Sequence, residues 1–200
     1  MLKEKLKNHK IILASASPRR QQFLRDLDLP YEIRLRPVEE IYPKDLSPSE
    51  IPDFLAKLKA SVFLDLQPDE ILITGDTVVS LENNILGKPK NEEEAFQMLR
   101  MLSGKSHEVI SSICLKSIQK IDVAHAVTKV FFKELSDEEI NFYLKNFRPF
   151  DKAGAYGIQE WIGQIGIVKI EGSYFNVMGM PTHLLYTMLQ DHLRLFSDNV

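Results

Sequence analysis

Residues 10–20, with the sequence KIILASASPRR, combine residue types that can bind an anion. After an apolar run typical of a buried strand, Ser17 occupies a helix N-cap position and Pro18 the first helical position. Arg19 and Arg20 follow in the first turn, where the helix dipole makes each cation unfavourable by about 0.3–1 kcal/mol. Backbone N–H groups, hydroxyls and guanidinium groups at one helix start favour a phosphate site over two solvent-directed arginines. The candidate phosphate-binding residues are Ser15, Ser17, Arg19 and Arg20.

A carboxylate, Asp76, follows the second strongly apolar strand, predicted over residues 71–73 and ending at Thr74. In α/β sheets, ligands bind beyond the carboxyl ends of such strands. The alternative is an aspartate that opens a turn. Val78 and Val79 restore strand character at once, so no turn residue is needed there, and the pattern favours a functional carboxylate.

Three further stretches contain candidate residues. Ser47 to Glu50 predicts a capping box that opens a helix, although Pro52 indicates that the helix begins later than Ser47. Lys59 lies beside the apolar stripe of that helix, where a lysine is usually an edge residue whose ammonium reaches solvent. Residues 87–89 (GKP) lack the rest of a P-loop pattern. Residues 151–159 (DKAGAYGIQ) have two glycines and no stable period, which is typical of a turn or a close approach to a ligand.

The composition is that of an ordinary globular protein of 200 residues, with 44% hydrophobic residues and a net charge of −3. This charge argues against a general nucleic-acid-binding protein. The single cysteine, Cys114, excludes a disulfide framework and favours a reducing compartment. No apolar segment is long enough for a signal peptide or a membrane span, so we expect a cytoplasmic protein without membrane contact. His107 and His125 lack ligand spacing, and both are interpreted as structural.

The predicted elements alternate between strands and helices, which indicates a mixed α/β fold. Beyond the elements already named, Asn83-Asn84 predicts a hairpin tip. Other strands are predicted over 31–36, 107–115, 123–132 and 165–170, and capped helices begin near Asn91 and Ser136. No linker or repeat is evident. We therefore expect one folded unit over residues 1–200, with residues 1–9 as a short N-terminal tail or helix.

Taken together, the unusual residues are cations and carboxylates placed beside strand ends or glycines. Cations and N–H donors hold phosphate esters, and one or two carboxylates hold Mg²⁺ together with phosphate oxygens. This mixture favours cleavage of a nucleoside polyphosphate over hydride or acyl transfer, for which the usual glycine-rich motifs are absent.

The same residues resemble the Maf family of nucleotide pyrophosphatases over roughly residues 10–189. The resemblance rests on an ordered series of motifs rather than on any one of them. The series is SASPRR (15–20), Glu40, KA (59–60), GDTVV (75–79), GKP (87–89), LSGKSHEV (102–109), DKAGAYGIQ (151–159) and GSYFNVMGMP (172–181). Two departures affect the subgroup more than the family: GMPT (179–182) stands in place of GLPL, and Ser111 in place of a threonine.

The resemblance implies an elongated, twisted sheet flanked by helices, with two lobes and an active-site cleft between them, similar to inosine triphosphate pyrophosphatases. It implies hydrolysis between the α- and β-phosphates of a nucleoside triphosphate, with Mg²⁺ or Mn²⁺, by a protein that is often a homodimer. Carried over by position, the catalytic residues are Asp76, Lys59 and Lys88, and the metal site is Glu40 with Asp76. Substrate choice would depend on Arg19, Thr77 and Gln159.

The segment AGAYGIQ (153–159) resembles the branch that acts on dTTP and UTP. A glutamine amide such as that of Gln159 can donate to one carbonyl and accept from N3–H of thymine or uracil. Three alternatives remain: the same chemistry on another base such as 7-methyl-GTP, a nucleotide-binding regulator of cell division, and, with the acidic pI against it, an RNA-associated factor. Whether Asp76 acts chiefly as base or as metal ligand is also open.

Overall fold

A seven-stranded mixed sheet, flanked by helices, forms the framework of the chain. The computed structural model describes the backbone of residues 1–197 and the side chains of residues 1–194. The strands are β1 (Lys10–Leu13), β2 (Tyr31–Ile33), β3 (Glu70–Leu81), β4 (Asn84–Leu86), β5 (Ser106–Lys116), β6 (Ile121–Phe132) and β7 (Ile167–Glu171). The helices are α1 (Leu2–Lys5), α2 (Pro18–Asp26), α3 (Glu50–Ser61), α4 (Glu92–Leu102), α5 (Asp137–Phe147), α6 (Trp161–Gly166), α7 (Tyr174–Val177) and α8 (Thr182–Ser197).

The strand order is β2-β1-β3-β5-β6-β7, and β4 pairs with β3. Strand β1 is parallel to both β2 and β3, whereas β3–β4 and β6–β7 are antiparallel. The predicted mixed α/β class is thereby confirmed. None of the described helices has the length and apolar character needed to span a membrane.

The chain divides into two compact units, and the division falls within β3. Unit 1 comprises Met1–Asp76, Ser111–Ala126 and the described residues from Gly179 onward. Its buried apolar cluster joins α3 to β1, β3 and β5, since Ala56, Ala60 and Phe63 pack with Ile12, Leu72 and Cys114. Cys114 is a fully buried core residue, and burial raises the pKa of its thiol to about 11.

Unit 2 comprises Thr77–Ile110 and Val127–Met178. Its core brings α4, α5 and α6 together with the strand segments of this unit. The buried members include Val79, Leu99, Val130, Phe132, Ile140, Tyr143, Leu144, Ile158 and Ile162. Helix α5 begins with the predicted capping box, in which Ser136 and Glu139 satisfy each other's backbone N–H groups.

Three of the predicted boundaries were wrong. Strand β2 ends at Ile33 rather than residue 36, because its parallel partner β1 ends at Leu13. The start of helix α3 agrees with the expectation drawn from Pro52, because the helix begins at Glu50, later than Ser47. The Glu50 carboxylate accepts hydrogen bonds from both N–H and O–H of Ser47 outside the helix.

The other two corrections concern the hairpin and the last strand. The tip of the β3–β4 hairpin is Glu82-Asn83, both with positive φ, and Asn84 already belongs to β4. Ile165 lies in α6, so the last strand begins two residues later than predicted.

Candidate active site

The turn between β1 and α2 in unit 1 is built by two serine side chains. Ser15 Oγ accepts a hydrogen bond from the N–H of Ser17 at 3.2 Å, and Ser17 Oγ caps α2 by accepting from the N–H of Arg20 at 3.5 Å. Each hydroxyl accepts here, so its O–H remains a donor that can be offered to an anion. The predicted cap at Ser17 is therefore confirmed.

Arg20 is held by backbone carbonyls of two other segments. Its Nε donates to Gly179 O at 2.9 Å, and a terminal nitrogen donates to Gly75 O at 2.8 Å. Burial lowers the pKa of Arg20, the negative charges of Asp76 and Glu40 oppose that shift, and the charge of Arg19 adds to it. The start of α2 is thus tied to β3, and four charged side chains share one electrostatic environment.

Gly75 permits the close approach of β5 to β3. A Cβ at Gly75 would lie 2.5 Å from the carbonyl oxygen of Ser112 on β5, whereas its distance of 3.8 Å from the guanidinium carbon of Arg20 would be an ordinary contact. The absence of a side chain at Gly75 therefore lets β5 pack against β3 directly beside Asp76.

The position of Asp76 differs from the prediction, because β3 does not end at Thr74 but continues to Leu81. The parallel partner β1 ends at Leu13, which pairs with Ile73, so β3 runs beyond the carboxyl end of β1. Asp76 lies in this extension, with 13% of its side chain exposed. Asp76 therefore lies beyond the carboxyl end of a parallel strand, as expected, but that strand is β1 and not β3.

Lys59 of α3 contacts both predicted metal-site carboxylates. Its ammonium lies 2.6 Å from Asp76 Oδ1 and 3.0 Å from Glu40 Oε2. Lys59 is 18% exposed, whereas Glu40, in the irregular segment after β2, is 51% exposed. The residue-based interpretation of Lys59 as an edge residue was wrong, and the side chain faces the carboxylates because of how α3 docks.

A buried hydrogen bond joins α3 to β3 beside the Lys59–Asp76 pair. Thr74 Oγ1 donates to the carbonyl oxygen of Ala56 at 2.6 Å. Asp76 lies two residues further along the strand and so on the same face as Thr74, while Lys59 lies three residues further along the helix and on the same side as Ala56. The Thr74–Ala56 bond and the apolar cluster that contains Ala56 therefore hold the two faces that carry Asp76 and Lys59 together.

Asp76 and Glu40 are the carboxylates that the resemblance assigns to a metal site. No group of three or more histidine, cysteine, aspartate or glutamate side chains suited to a metal occurs among the described residues. Two carboxylates that converge on one cationic group nevertheless fit Mg²⁺, which takes one or two protein carboxylates and completes its ligands with phosphate oxygens and water. The donor set fits a metal that arrives with a phosphate-bearing ligand.

The remaining predicted residues, Thr77, Lys88 and Gln159, belong to unit 2. Lys88 is exposed in the loop after β4 and forms no ion pair with any described residue. Thr77 is half-buried on β3. The structure brings Ser15, Ser17, Arg20, Asp76, Lys59 and Glu40 together within unit 1 and places Arg19 in the first turn of α2.

Segment 151–159 is irregular, as its lack of period predicted, apart from a 3₁₀ turn over Ala153–Ala155. Gly154 has a φ of +69°, which favours glycine, and a Cβ there would make a tight contact of 3.2 Å with the side chain of Val79. Gln159 follows at the end of the segment, half-buried, and its amide makes no hydrogen bond to a described residue.

Both predicted structural histidines have protein partners. His107 is buried, and its Nε2 lies 2.7 Å from the hydroxyl of Tyr156. His125 Nδ1 lies 2.8 Å from Asp53, whose other oxygen accepts from Ser112 Oγ. In this triplet the carboxylate bridges the serine and the histidine, so the histidine cannot take the serine proton as a nucleophile-activating base would.

Comparison with solved structures identifies the fold class that the strand order defines. The chain is similar to the structure of the Staphylococcus aureus Ham1 protein, with a TM-score of 0.50 at 16% identity, covering 92% of this chain and 99% of that chain. At this identity the likeness concerns the α/β fold alone, and it agrees with the fold that the motif resemblance implied.

The family follows from sequence comparison, in which the model of the Maf-like protein family matches residues 10–192. This chain belongs to that family. It is 59% identical over 190 residues to a protein of Flavobacterium johnsoniae named dTTP/UTP pyrophosphatase, covering 94% of this chain and 98% of the relative. Proteins of the same name from Flavobacterium psychrophilum and Phocaeicola vulgatus are 56% and 51% identical, covering 96% and 94% of this chain and 99% and 98% of each relative.

Proposed function

We propose that this protein hydrolyses dTTP and UTP between the α- and β-phosphates, releasing the nucleoside monophosphate and pyrophosphate. The observation that supports this chemistry most strongly is the contact of one ammonium, that of Lys59, with both Asp76 and Glu40 near the anion-binding start of α2. The names of the relatives support the choice of thymine and uracil nucleotides.

The phosphate chain requires positive charge and N–H donors, which the start of α2 supplies. Arg19, the first-turn N–H groups and the hydroxyls of Ser15 and Ser17 would bind the phosphate oxygens. Arg20 is engaged with backbone carbonyls, so its contribution is to hold the turn and to add charge. Lys59 and Lys88 would neutralise charge that develops on the leaving pyrophosphate.

Asp76 is the residue that would act on the attacking water. Its carboxylate would accept the proton as the water oxygen bonds to phosphorus and the α–β anhydride bond breaks. Glu40 and Asp76 would hold a divalent cation, which, when bound, would lower the pKa of water and offset phosphate charge. Gln159 would read the base, and Arg19 and Thr77 would contribute to substrate choice.

Two finer expectations belong to the same proposal. A cytoplasmic location is supported by the single cysteine, Cys114, which is buried and forms no disulfide bond. A homodimer is supported by the family resemblance, and light scattering during gel filtration would measure its mass.

The experiment that tests the function compares pyrophosphate release from a panel of nucleotides in the presence of Mg²⁺. We expect turnover with dTTP and UTP, and an Asp76→Asn variant should lose roughly 10²-fold or more in kcat because its amide cannot accept the proton. The control is Asp69→Asn, which removes a surface carboxylate that pairs with Lys10.

Other outcomes of the panel would contradict the proposal. Release from 7-methyl-GTP with dTTP and UTP untouched would assign the protein to another substrate. Full turnover by the Asp76→Asn variant would show that this carboxylate is not the base. A cellular effect retained by an inactive Asp76→Asn variant would favour a regulatory role.

A further inference from the structure

Tyr143, Lys152 and Glu160 form a buried polar cluster in unit 2, and this cluster holds the segment that contains Gln159. The proposed chemistry assigns no role to these three residues. Tyr143 of α5 is fully buried, and its hydroxyl donates a hydrogen bond to the carboxylate of Glu160. The same hydroxyl accepts the backbone N–H of Gly157 at 3.0 Å. One hydroxyl therefore fixes the chain on both sides of Gln159.

An ammonium group pairs with the carboxylate of this largely buried cluster. Lys152 Nζ lies 3.1 Å from Glu160 and 2.7 Å from Asp151, and only 10% of the Lys152 side chain is exposed. A buried carboxylate without partners would be strongly unfavourable, whereas Glu160 has both an ammonium and a hydroxyl donor. Burial, followed by the effects of Glu160, raises the pKa of Tyr143, so its hydroxyl stays protonated as the donor.

Glu160 and Gln159 both lie against Gly157. A Cβ at Gly157 would lie 2.8 Å from the carboxyl carbon of Glu160 and 3.1 Å from Nε2 of Gln159. Both side chains therefore close over the bare backbone of Gly157. Since the amide of Gln159 has no hydrogen-bond partner of its own among the described residues, its orientation depends on this packing.

We propose that Tyr143 and Glu160 are positioning residues for base discrimination, and that they act by orienting the amide of Gln159; this inference rests on the proposed function. The physical reason is that an amide presents a donor on one side and an acceptor on the other. Uracil and thymine offer an acceptor carbonyl beside N3–H, and cytosine reverses this pattern. An amide that rotates freely would accept either base, whereas a fixed amide selects one.

The test measures the ratio of kcat/KM for dTTP to kcat/KM for CTP in a Tyr143→Phe variant. We expect this ratio to fall roughly fivefold to tenfold, because about one net hydrogen bond is lost. The fall should come mainly from a higher KM for dTTP. Both nucleotides are measured on the same sample, so the ratio does not depend on the fraction of folded enzyme.

The matched control is Tyr156→Phe. Tyr156 is a buried tyrosine in the same segment, but its hydroxyl contacts His107 at 2.7 Å rather than Gly157 or Glu160. This variant should be less stable, but its ratio of kcat/KM for dTTP to kcat/KM for CTP should equal that of the wild type.

A second pair of variants separates charge from hydrogen bonding. Glu160→Ala should lower this ratio, whereas Glu160→Gln, which keeps an acceptor for Tyr143, should retain most of the wild-type ratio.

The outcomes distinguish this inference from the function on which it rests. If Gln159→Ala lowers the dTTP-to-CTP ratio but Tyr143→Phe and Glu160→Ala leave it unchanged, the positioning role is overturned and the function stands. If Tyr156→Phe lowers the ratio as much as Tyr143→Phe does, the effect is general to the core and the inference is again overturned. Absence of dTTP turnover in the wild type would overturn both.

Discussion

Lys59 places one ammonium against two carboxylates, at 2.6 Å from Asp76 and 3.0 Å from Glu40. With Arg19 and Arg20 nearby, three cations face two carboxylates before any ligand binds. Such a charge balance opposes entry of a free divalent cation, and a triphosphate supplies the negative charge that would reverse it. The metal is therefore expected to bind together with the nucleotide.

A Lys59→Met variant tests this charge balance with two measurements. Turnover should fall by roughly 10²-fold or more, because phosphate charge is no longer neutralised in the transition state. Affinity for Mn²⁺ without nucleotide, measured by the loss of the free-ion electron paramagnetic resonance signal, should rise because a competing cation is removed. The control is Lys57→Met, two residues away and exposed on the same helix. Unchanged Mn²⁺ affinity would mean that Lys59 does not compete with the metal.

At the scale of elements, β3 runs as one continuous strand through the break that the sequence predicted at Thr74, although Val78 and Val79 already indicated strand beyond it. Thr74, Gly75 and Asp76 read as a break between strands, yet the sheet continues through them because β5 covers Gly75 at its Ser112 carbonyl. Gly75 is therefore required by close packing rather than by a turn.

A Gly75→Ala substitution should destabilise the fold by about 1–3 kcal/mol, since the new Cβ would lie 2.5 Å from a backbone oxygen that cannot rotate away. Urea unfolding followed by circular dichroism would measure this change. Gly87→Ala is the matched control, because a Cβ at Gly87 would meet no atom within 4 Å. Equal stability of the two variants would show that β3 and β5 can separate here without cost.

The sequence predicted elements wherever the signal is local. The N-cap at Ser17 and the capping box at Ser136 depend on residues within one helical turn, and both predictions were confirmed. The Lys59–Asp76 pair depends on how a helix docks on a strand, so residue patterns alone gave Lys59 no role and only the family resemblance did. The polar role of Tyr143 is likewise hidden from local patterns, because its hydroxyl partners lie 14 and 17 residues away.

At the scale of the whole molecule, net charge and site charge differ in sign. The chain carries a net charge of −3, yet Arg19, Arg20 and Lys59 outnumber the two carboxylates beside them. A mildly acidic protein can therefore concentrate positive charge in one place. The net charge argues against a general nucleic-acid-binding protein, but it could not predict this local cluster.

The stability of the whole molecule should depend on pH through His107, which lies in the core of unit 2 against Phe132 and Tyr156. Burial lowers the pKa of His107 from 6.5 to about 4. Between these values the unfolded chain binds more protons than the folded chain, so the free energy of unfolding should fall as pH drops from about 6.5 to 4, by about 3 kcal/mol in total. Above pH 6.5 this contribution is fully present.

Urea unfolding at pH 7, 5.5 and 4.5 would measure this loss, and His107→Gln is the informative variant because glutamine can still bond to Tyr156 but cannot be protonated. The variant should be less stable than the wild type at pH 7 and should lose less stability on acidification. His183→Gln, at an exposed position of α8, should keep the wild-type pH dependence. If His107→Gln and the wild type lose stability in parallel, another group, such as His9, whose pKa burial also lowers, would be the source of the acid sensitivity.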